Sequence, residues 1–501
     1  MKKVLVANRG EIAVRVIRAC RELGVPVVAA YSEADRKALH VQLADEAVCI
    51  GPPPALESYL DIDAIVSAAR AAGCDAVHPG YGFLAENGDF AERLENVGLT
   101  FIGPAGSVIK TMGSKIQSRK IMSQAGVPVV PGAMEGSDDV DKIVAAAKKI
   151  EGPIFLKASA GGGGKGMRLV TDRSQLESLV REAVGEATSA FGDGTIYVEK
   201  FLENPRHIEF QVLADTHGNV VHLFERECSI QRRHQKVVEE TPSTALDDKL
   251  RGEMGAAAVA AARAAGYTNA GTVEFMFDRD RNFYFLEMNT RIQVEHPITE
   301  CTTGVDLVKW QIRIARGEEL SFDQDDLVQR GHAIECRIYA EDGANNFIPS
   351  CGVIKRLREP WGPGIRNDSG IYEGWEVSPY YDPILSKLVT YGESRDAAIR
   401  RMQLALDSYV VHGVETSIDL HKRILTHPDF IKGETYTNFI AAHKDELLGT
   451  SEGDGVPDEA FIAAALAEQL QSAGNAGSFG VQAERPTPWQ TIGRWEIGGG
   501  D

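Results

Sequence analysis

Residues 283–295 read Phe283-Tyr-Phe-Leu-Glu-Met-Asn-Thr-Arg-Ile-Gln-Val-Glu295. The first four are apolar without interruption, the pattern of a strand buried on both faces. From Glu287 onward a polar side chain recurs at every second position. In an extended chain alternate side chains share a face, so Glu287, Asn289, Arg291, Gln293 and Glu295 point one way. Met288, Thr290, Ile292 and Val294 point the other way. Alternation alone also fits a solvated edge strand. A charged row running out of an apolar strand argues for an active site, because two carboxylates, a guanidinium and two amides can hold a metal ion and an anionic reactant together.

Outward from this stretch, Thr272-Val-Glu-Phe-Met-Phe277 reads as a partner strand. A two-residue turn at Asp280-Arg281 sets Glu274 directly opposite Glu287. Like charges so placed repel unless a cation lies between them. Hard oxygen ligands that leave positions for phosphates suit Mg²⁺ or Mn²⁺. Further upstream, the strands Ile154–Ala158 and Met167–Val170 flank Gly161-Gly-Gly-Gly-Lys-Gly166. Consecutive glycines let backbone N–H groups approach phosphate oxygens, and Lys165 and Lys157 add charge. Gly166 stands where a Walker A loop has Ser or Thr, and strand rather than helix follows. The loop therefore reads as a flap over a nucleotide. The basic stretch Gln231-Arg-Arg-His-Gln-Lys236 is followed by Glu239-Glu240 and reads as a local anion-binding wall.

The first hundred residues alternate strand and helix. A strand at Lys3–Ala7 precedes a helix from about Ile12 to Leu23, with Ile12, Val16, Cys20 and Leu23 on its apolar stripe and Arg15, Arg18 and Glu22 off it. Val27–Tyr31, a helix near Ile62–Ala72 and the strand Ala76–His78 complete a parallel-sheet pattern. The GxGxxG fingerprint is missing, which weighs against a dinucleotide-dependent oxidoreductase. Further strands fall at Thr195–Lys200, His207–Val212 and Ala333–Tyr339, with helices near Ala397–Leu406 and Ile418–Leu425. Ala460–Gln471 is an Ala-rich helix candidate in a Gly- and Pro-punctuated tail.

A chain of 501 residues accommodates roughly three domains. Its net charge of −19 disfavours nucleic acid and anionic membranes as partners. No apolar run reaches the ~18 residues of a membrane span, and the N-terminal apolar stretch is too short for a signal peptide. Seven scattered cysteines without a CxxC pair support neither a disulfide framework nor a zinc site, and fit a reducing cytoplasm.

Six stretches together carry a resemblance: Asn8-Arg-Gly-Glu-Ile-Ala13, His78-Pro-Gly-Tyr-Gly-Phe-Leu84, Gly161–Met167, Glu227-Cys-Ser-Ile-Gln-Arg-Arg-His-Gln-Lys236, Glu287–His296 and His332-Ala-Ile-Glu-Cys-Arg337. From Lys2 to about residue 446 the chain resembles biotin carboxylase, the ATP-grasp component of biotin-dependent carboxylases. The resemblance implies an α/β fold, in part α+β. It implies an N-terminal parallel-sheet, Rossmann-like domain (1–113), an ATP-grasp domain (114–328) with a mobile glycine-rich lid at about 130–203, and a mixed α/β C-terminal domain (329–446). Residues 447–501 are then a linker and tail, read as a partner-docking segment or a disordered end.

The resemblance also implies roles. ATP falls to Lys115, Lys157, Gly162, Gly163, Gly164, Lys165, Gly166, Met167, Glu199, Lys200, Leu202, His207, Gln231, His234 and Met276, with Glu274 and Glu287. Mg²⁺ or Mn²⁺ falls to Glu274, Glu287 and Asn289, and bicarbonate to Lys236, Arg291, Gln293, Val294 and Glu295. Biotin falls to Arg337 and Tyr81. The catalytic set is Glu295 as base, ionised beside Arg291 and Lys236, with Arg337 facing biotin. No Ala-Met-Lys-Met segment is present, so the biotin carrier and the carboxyltransferase belong to other chains. A homodimer is the family expectation. The alternatives are another ATP-grasp ligase of the carbamoyl-phosphate type, or a non-catalytic nucleotide-sensing subunit.

Overall fold

In the computed structural model of the chain the described residues are 1–448, apart from 134, 160–165, 234 and 344, together with 460–467 and 469. The first hundred residues build a five-stranded parallel sheet. Its strands are β1 (Val4–Val6), β2 (Val27–Ser32), β3 (Glu46–Gly51), β4 (Ala76–His78) and β5 (Thr100–Phe101), in the order β3-β2-β1-β4-β5. The helix after β1, α1 (Gly10–Glu22), departs from expectation at Arg15. Its guanidinium is buried, 3.0 Å from Glu300 and 2.6 Å from Asp306. The helix has no open polar face there, because the strand Ile365–Ser369 and the helix Leu307–Ala315 cover the side turned away from the parallel sheet.

A three-stranded antiparallel sheet follows: β6 (Ile154–Ala158), β7 (Met167–Val170) and β8 (Ile196–Lys200), with β6 central. Helices Val140–Ala147 and Leu176–Phe191 give it a small apolar core of its own. Lys157 lies opposite Met167, and the Ala158 N–H donates to the Gly166 carbonyl. Five residues of the glycine flap, Gly161, Gly162, Gly163, Gly164 and Lys165, lie outside the described residues, as does His234.

The largest sheet has eight antiparallel strands. Its first six are β9 (Arg206–Ala214), β10 (Val220–Arg232), β11 (Gln235–Thr241), β12 (Asn269–Phe277), β13 (Phe283–Asn289) and β14 (His332–Tyr339). The order is β13-β12-β9-β10-β11-β14, then Ile384–Gly392 and Ile365–Ser369. One face presents Ile208, Phe210, Val273, Phe275, Phe285 and Met288 to Met254, Ala258 and Ala261 of the helix Asp248–Ala264. Around β14, Ile334, Cys336 and Ile338 join a separate core with Met402 and Ile424 from the helices Arg395–Ser408 and Ile418–Thr426.

Three details of β12 and β13 correct the sequence reading. β13 is the sheet's edge and only half-buried, not a strand covered on both faces, although Phe285 N–H still finds the Pro128 carbonyl. It ends at Asn289; residues 290–295 bend, and the helix His296–Thr303, with Pro297 in its first turn, follows at once. The turn is also longer than two residues: Phe277 faces Phe283, and Asp278 closes the connection by accepting the Asn282 N–H. That register would bring Glu274 to Leu286. A bulge with Leu286 as its extra residue shifts the pairing, and Glu274 faces Glu287 after all.

Beyond residue 448 the chain forms a separate unit, in which residues 460–467 are helical and exposed.

The packing of α1 makes a stability prediction. A Cβ on Gly370 would lie 2.6 Å from the Glu11 backbone nitrogen and 2.7 Å from the Gly10 carbonyl carbon. Both neighbours are main-chain atoms, so Gly370→Ala should cost about 1–3 kcal/mol, read as a lower urea midpoint.

Candidate active site

The register of β9, β12 and β13 sets Glu209, Glu274 and Glu287 side by side in one row. Rows on either side carry Gln211, Thr272 and Asn289, and His207, Met276 and Tyr284. Three carboxylates at neighbouring positions of a sheet destabilise it unless cations offset them. Arg226, opposite Glu209 on β10, supplies the first. It is fully buried, and donates to Glu209 at 2.6 Å, Gln211 at 2.7 Å, and Thr299 and Thr272 at 3.0 Å. Lys236 on β11 supplies the second, with its Nζ bonded to Glu209, 2.9 Å from Glu274 and 2.6 Å from Glu295. His207 supplies the third, 3.2 Å from Glu274.

Burial disfavours charge at Glu209, Glu274, His207 and Lys236, and the pairing outweighs it; at Glu287 burial and the neighbouring Glu274 prevail and raise the carboxyl. Lys236 and Arg226 hold Glu209 well below the ordinary carboxylate range, and Lys236 and His207 do the same for Glu274. Burial alone would neutralise His207, yet Glu274 pushes its imidazole up to about 9. Glu295 has burial and the nearby Glu209 against it; Lys236, Arg337 and Arg226 prevail and keep its carboxyl low.

Arg337 joins the site from β14. It donates to Glu239 at 2.6 Å and to Glu295 at 2.8 Å. Lys236 and Arg337 are therefore the cations that donate to Glu295, while Arg291 acts on it through space. Arg291 pairs with Glu86 at 3.0 Å and donates to Asn289 and Gln293 at 3.0 and 2.9 Å. Asn289 and Gln293 in turn donate to the same Glu274 oxygen, at 2.8 and 2.9 Å. Although the strand stops at Asn289, the alternate side chains still meet.

Of the residues that the resemblance gives to ATP, Lys157, Glu199 and Lys200 lie on β6 and β8. Lys157 pairs with Glu199, which also pairs with Arg119. Lys115 opens the helix Lys115–Gln124; burial lowers its ammonium from the ordinary lysine range, and the nearby Glu287 opposes that shift. Met167 lies opposite Lys157, and Met276 opposite His207. Lys200 and Leu202 follow Glu199, exposed and half-buried. Of the basic stretch, Gln231 and Lys236 pair across β10 and β11. Arg232 turns to Glu341 and Arg233 to Asn346, so the stretch is not a continuous anion-binding wall. Tyr81 donates its hydroxyl to Glu11.

Among the described residues, three groups bring metal-ligating atoms of His, Cys, Asp or Glu within 4.8 Å of one another. Two contain Glu209 and belong to this site. The third is His427, Asp429 and His443; there the Asp429 N–H donates to His427 Nδ1, which leaves the ring proton on Nε2, facing Glu446. That arrangement is a helix cap. Glu274, Glu287 and Asn289 offer the hard oxygen donors that suit Mg²⁺ or Mn²⁺.

Family models match in three consecutive pieces: the biotin carboxylase N-terminal domain over residues 1–109, the ATP-binding domain of the carbamoyl-phosphate synthase L chain over 114–322, and the biotin carboxylase C-terminal domain over 335–442. Biotin carboxylase 1 of Bacillus subtilis is 54% identical, over 90% of this chain and all of its own. The chain belongs to the biotin carboxylase family. The propionyl-CoA carboxylase alpha chain of Ruegeria pomeroyi is 51% identical, over 91% of this chain and 70% of its own. A crystal structure of the biotin carboxylase domain dimer of Hydrogenobacter thermophilus 2-oxoglutarate carboxylase, in complex with MgADP, ADP and bicarbonate, superposes with a TM-score of 0.84. It is 50% identical and covers 89% of this chain and 98% of its own. This chain is thus an ATP-grasp enzyme of the biotin carboxylase family, and no helix among its described residues is long and apolar enough to cross a membrane.

Several members of the constellation in this biotin carboxylase were not picked out from sequence. Glu209 and Gln211 share the alternating strand with His207, so their face was readable there. Arg226, Glu239 and Glu86 carry no local signal, because their partners are distant in the chain.

Since Glu209, Glu274 and Glu295 are held below their ordinary values, they stabilise the fold above the pH at which unfolded carboxylates titrate, and that contribution is lost as pH falls. Lys236→Met removes their shared cation. It should cost about 3–5 kcal/mol at pH 7, and the wild-type-minus-variant difference should shrink as pH falls below about 5 in urea unfolding.

Proposed function

We propose that the chain carboxylates biotin borne on a separate carrier, using ATP and bicarbonate, as the first half-reaction of a biotin-dependent carboxylase. The observation that carries this reading is the shared cation Lys236, which touches both Glu274 of the carboxylate row and Glu295. A phosphoryl donor at the row and a bicarbonate at Glu295 would therefore be adjacent.

In this reading Lys115, Lys157, Glu199, Lys200, Leu202, His207, Gln231, His234 and Met276 receive ATP, and the Gly162–Gly166 flap with Met167 closes over its phosphates. Glu274, Glu287 and Asn289 hold the divalent cation, which when bound neutralises charge on the phosphates. Lys236, Arg291, Gln293, Val294 and Glu295 receive bicarbonate. Glu295 is ionised, so it can accept the bicarbonate proton as the oxygen attacks the γ-phosphorus and ADP leaves. Carboxyphosphate then yields CO₂ and phosphate, and the phosphate takes the ureido proton of biotin. Arg337, held by Glu239, faces the resulting enolate oxygen while the nitrogen captures CO₂. The hydroxyl of Tyr81 is engaged by Glu11, which leaves its ring to border biotin. Closure of the flap excludes water from the labile intermediate.

The three matched regions support a division at 1–113, 114–328, with a lid at about 130–203, and 329–446. A biotin carrier and a carboxyltransferase on other chains, and self-association as a dimer, complete the assembly. Seven free cysteines agree with a reducing cytoplasm.

The purified chain should release phosphate from ATP only with bicarbonate and a divalent cation, and faster with free biotin; EDTA should stop it. Glu295→Gln should lower that rate by about 10²–10⁴, with comparable losses for Lys236→Gln and Arg337→Ala. ATP turnover indifferent to biotin and intact in all three variants would refute the assignment. We further propose that residues 451–501 dock the partner chain. Their deletion should spare activity on free biotin and abolish co-purification with the biotinylated protein; a deletion variant that still co-purifies would exclude the docking role.

A further inference from the structure

In the bent segment 290–295 the Glu295 carbonyl accepts the Ile298 N–H of the following helix, and three preceding carbonyls are met by side chains. Arg291 donates to the Ile292 carbonyl at 3.2 Å, His296 Nδ1 meets the Gln293 carbonyl at 2.8 Å, and Lys387 donates to the Val294 carbonyl at 3.0 Å. The first two partners are sequence neighbours. Lys387 comes from the strand Ile384–Gly392 and is 0% exposed.

Such a lysine needs a counter-charge, and the surroundings are specific. Its Nζ lies 3.1 Å from Glu11 at the start of α1 and 5.8 Å from the centre of the Tyr81 ring. The Tyr81 hydroxyl donates to the other Glu11 oxygen. In the sheet register Lys387 stands between Arg337 on one side and Asp368 on the other. Burial pushes the Glu11 carboxyl up to about 7, against the pull of Lys387. A carboxylate, an ammonium, a phenol and a main-chain carbonyl thus form one closed chain, which runs from the N-terminal segment to the residue before Glu295.

We propose that Lys387 is the positioning residue of the bicarbonate segment, and that Glu11 and Tyr81 hold it in place. The proposal rests on the reading of Glu295 as the base in bicarbonate activation. Lys387 touches no reactant; it fixes the peptide between Val294 and Glu295, and hence the direction of the Glu295 side chain. Reactive geometry is steep in distance, a misplacement of ~1 Å costing ~10²-fold.

The test uses the full chain, with ATP cleavage measured against bicarbonate and against MgATP separately. Lys387→Met should lower kcat/KM for bicarbonate by about 10²-fold, with KM for MgATP within about twofold. Glu11→Gln, which preserves shape and removes the counter-charge, should move the bicarbonate constants in the same direction by a smaller factor, and Lys387→Arg should recover part of the loss. If Lys387→Met does not fold, Glu11→Gln decides, provided its thermal midpoint matches the wild type. Equal changes in both substrates' constants, or none, in a folded variant would overturn the positioning role. Absence of bicarbonate-dependent cleavage in the unaltered chain would instead overturn the functional reading beneath it.

Discussion

Three carboxylates in register across three neighbouring strands impose the main constraint on this molecule. A sheet tolerates Glu209, Glu274 and Glu287 side by side only if positive charge is brought to them. The sheet brings it from four directions: Arg226 along the same row, Lys236 from beyond it, His207 from the next row, and Lys115 from the helix over the edge. Lys236 matters most because its ammonium serves Glu209, Glu274 and Glu295 together. Glu295 and the carboxylate row are therefore parts of one electrostatic unit, and a substitution at one is felt at the other.

The architecture explains how residues far apart in sequence reach that unit. Glu86 and Arg291 meet across 205 positions of chain, and Glu11 and Lys387 come from farther apart still. The parallel sheet and the antiparallel sheet share α1 as common packing, with Gly370 drawn against its first turn. Close main-chain approach at that point, rather than a large apolar interface alone, lets the N-terminal segment reach Lys387 beneath residues 290–295.

Much of this was legible in the sequence, for reasons that differ by residue. The period of two places Glu287, Asn289, Arg291, Gln293 and Glu295 on one face, and a two-residue turn at Asp280-Arg281 pairs Glu274 with Glu287. The pairing holds, yet through a five-residue connection and a bulge at Leu286 that cancel each other. No turn residue announced either one. The apolar run Phe283–Leu286 misled about burial, because an edge strand can be apolar when a loop such as that at Pro128 lies against it. Arg15 and Lys387 show the opposite limit. Each is a charged residue whose place inside is fixed by acids on distant elements, and periodicity along one helix or strand contains no information about them. Arg291 and Glu295 lie on one alternating row and their charges interact, but after the strand ends at Asn289 Arg291 hydrogen-bonds Glu86, and Arg337 from a distant strand donates to Glu295.

The carboxylate row also runs from the interior to the margin of the sheet. Glu209 and Glu274 are buried, whereas Glu287 on the edge strand is exposed. The inner two carboxylates have neutralising partners that are covalent parts of the chain. The outermost opens to solvent. Along a single line of three side chains the row thus passes from charge balanced within the protein to charge offered at its rim.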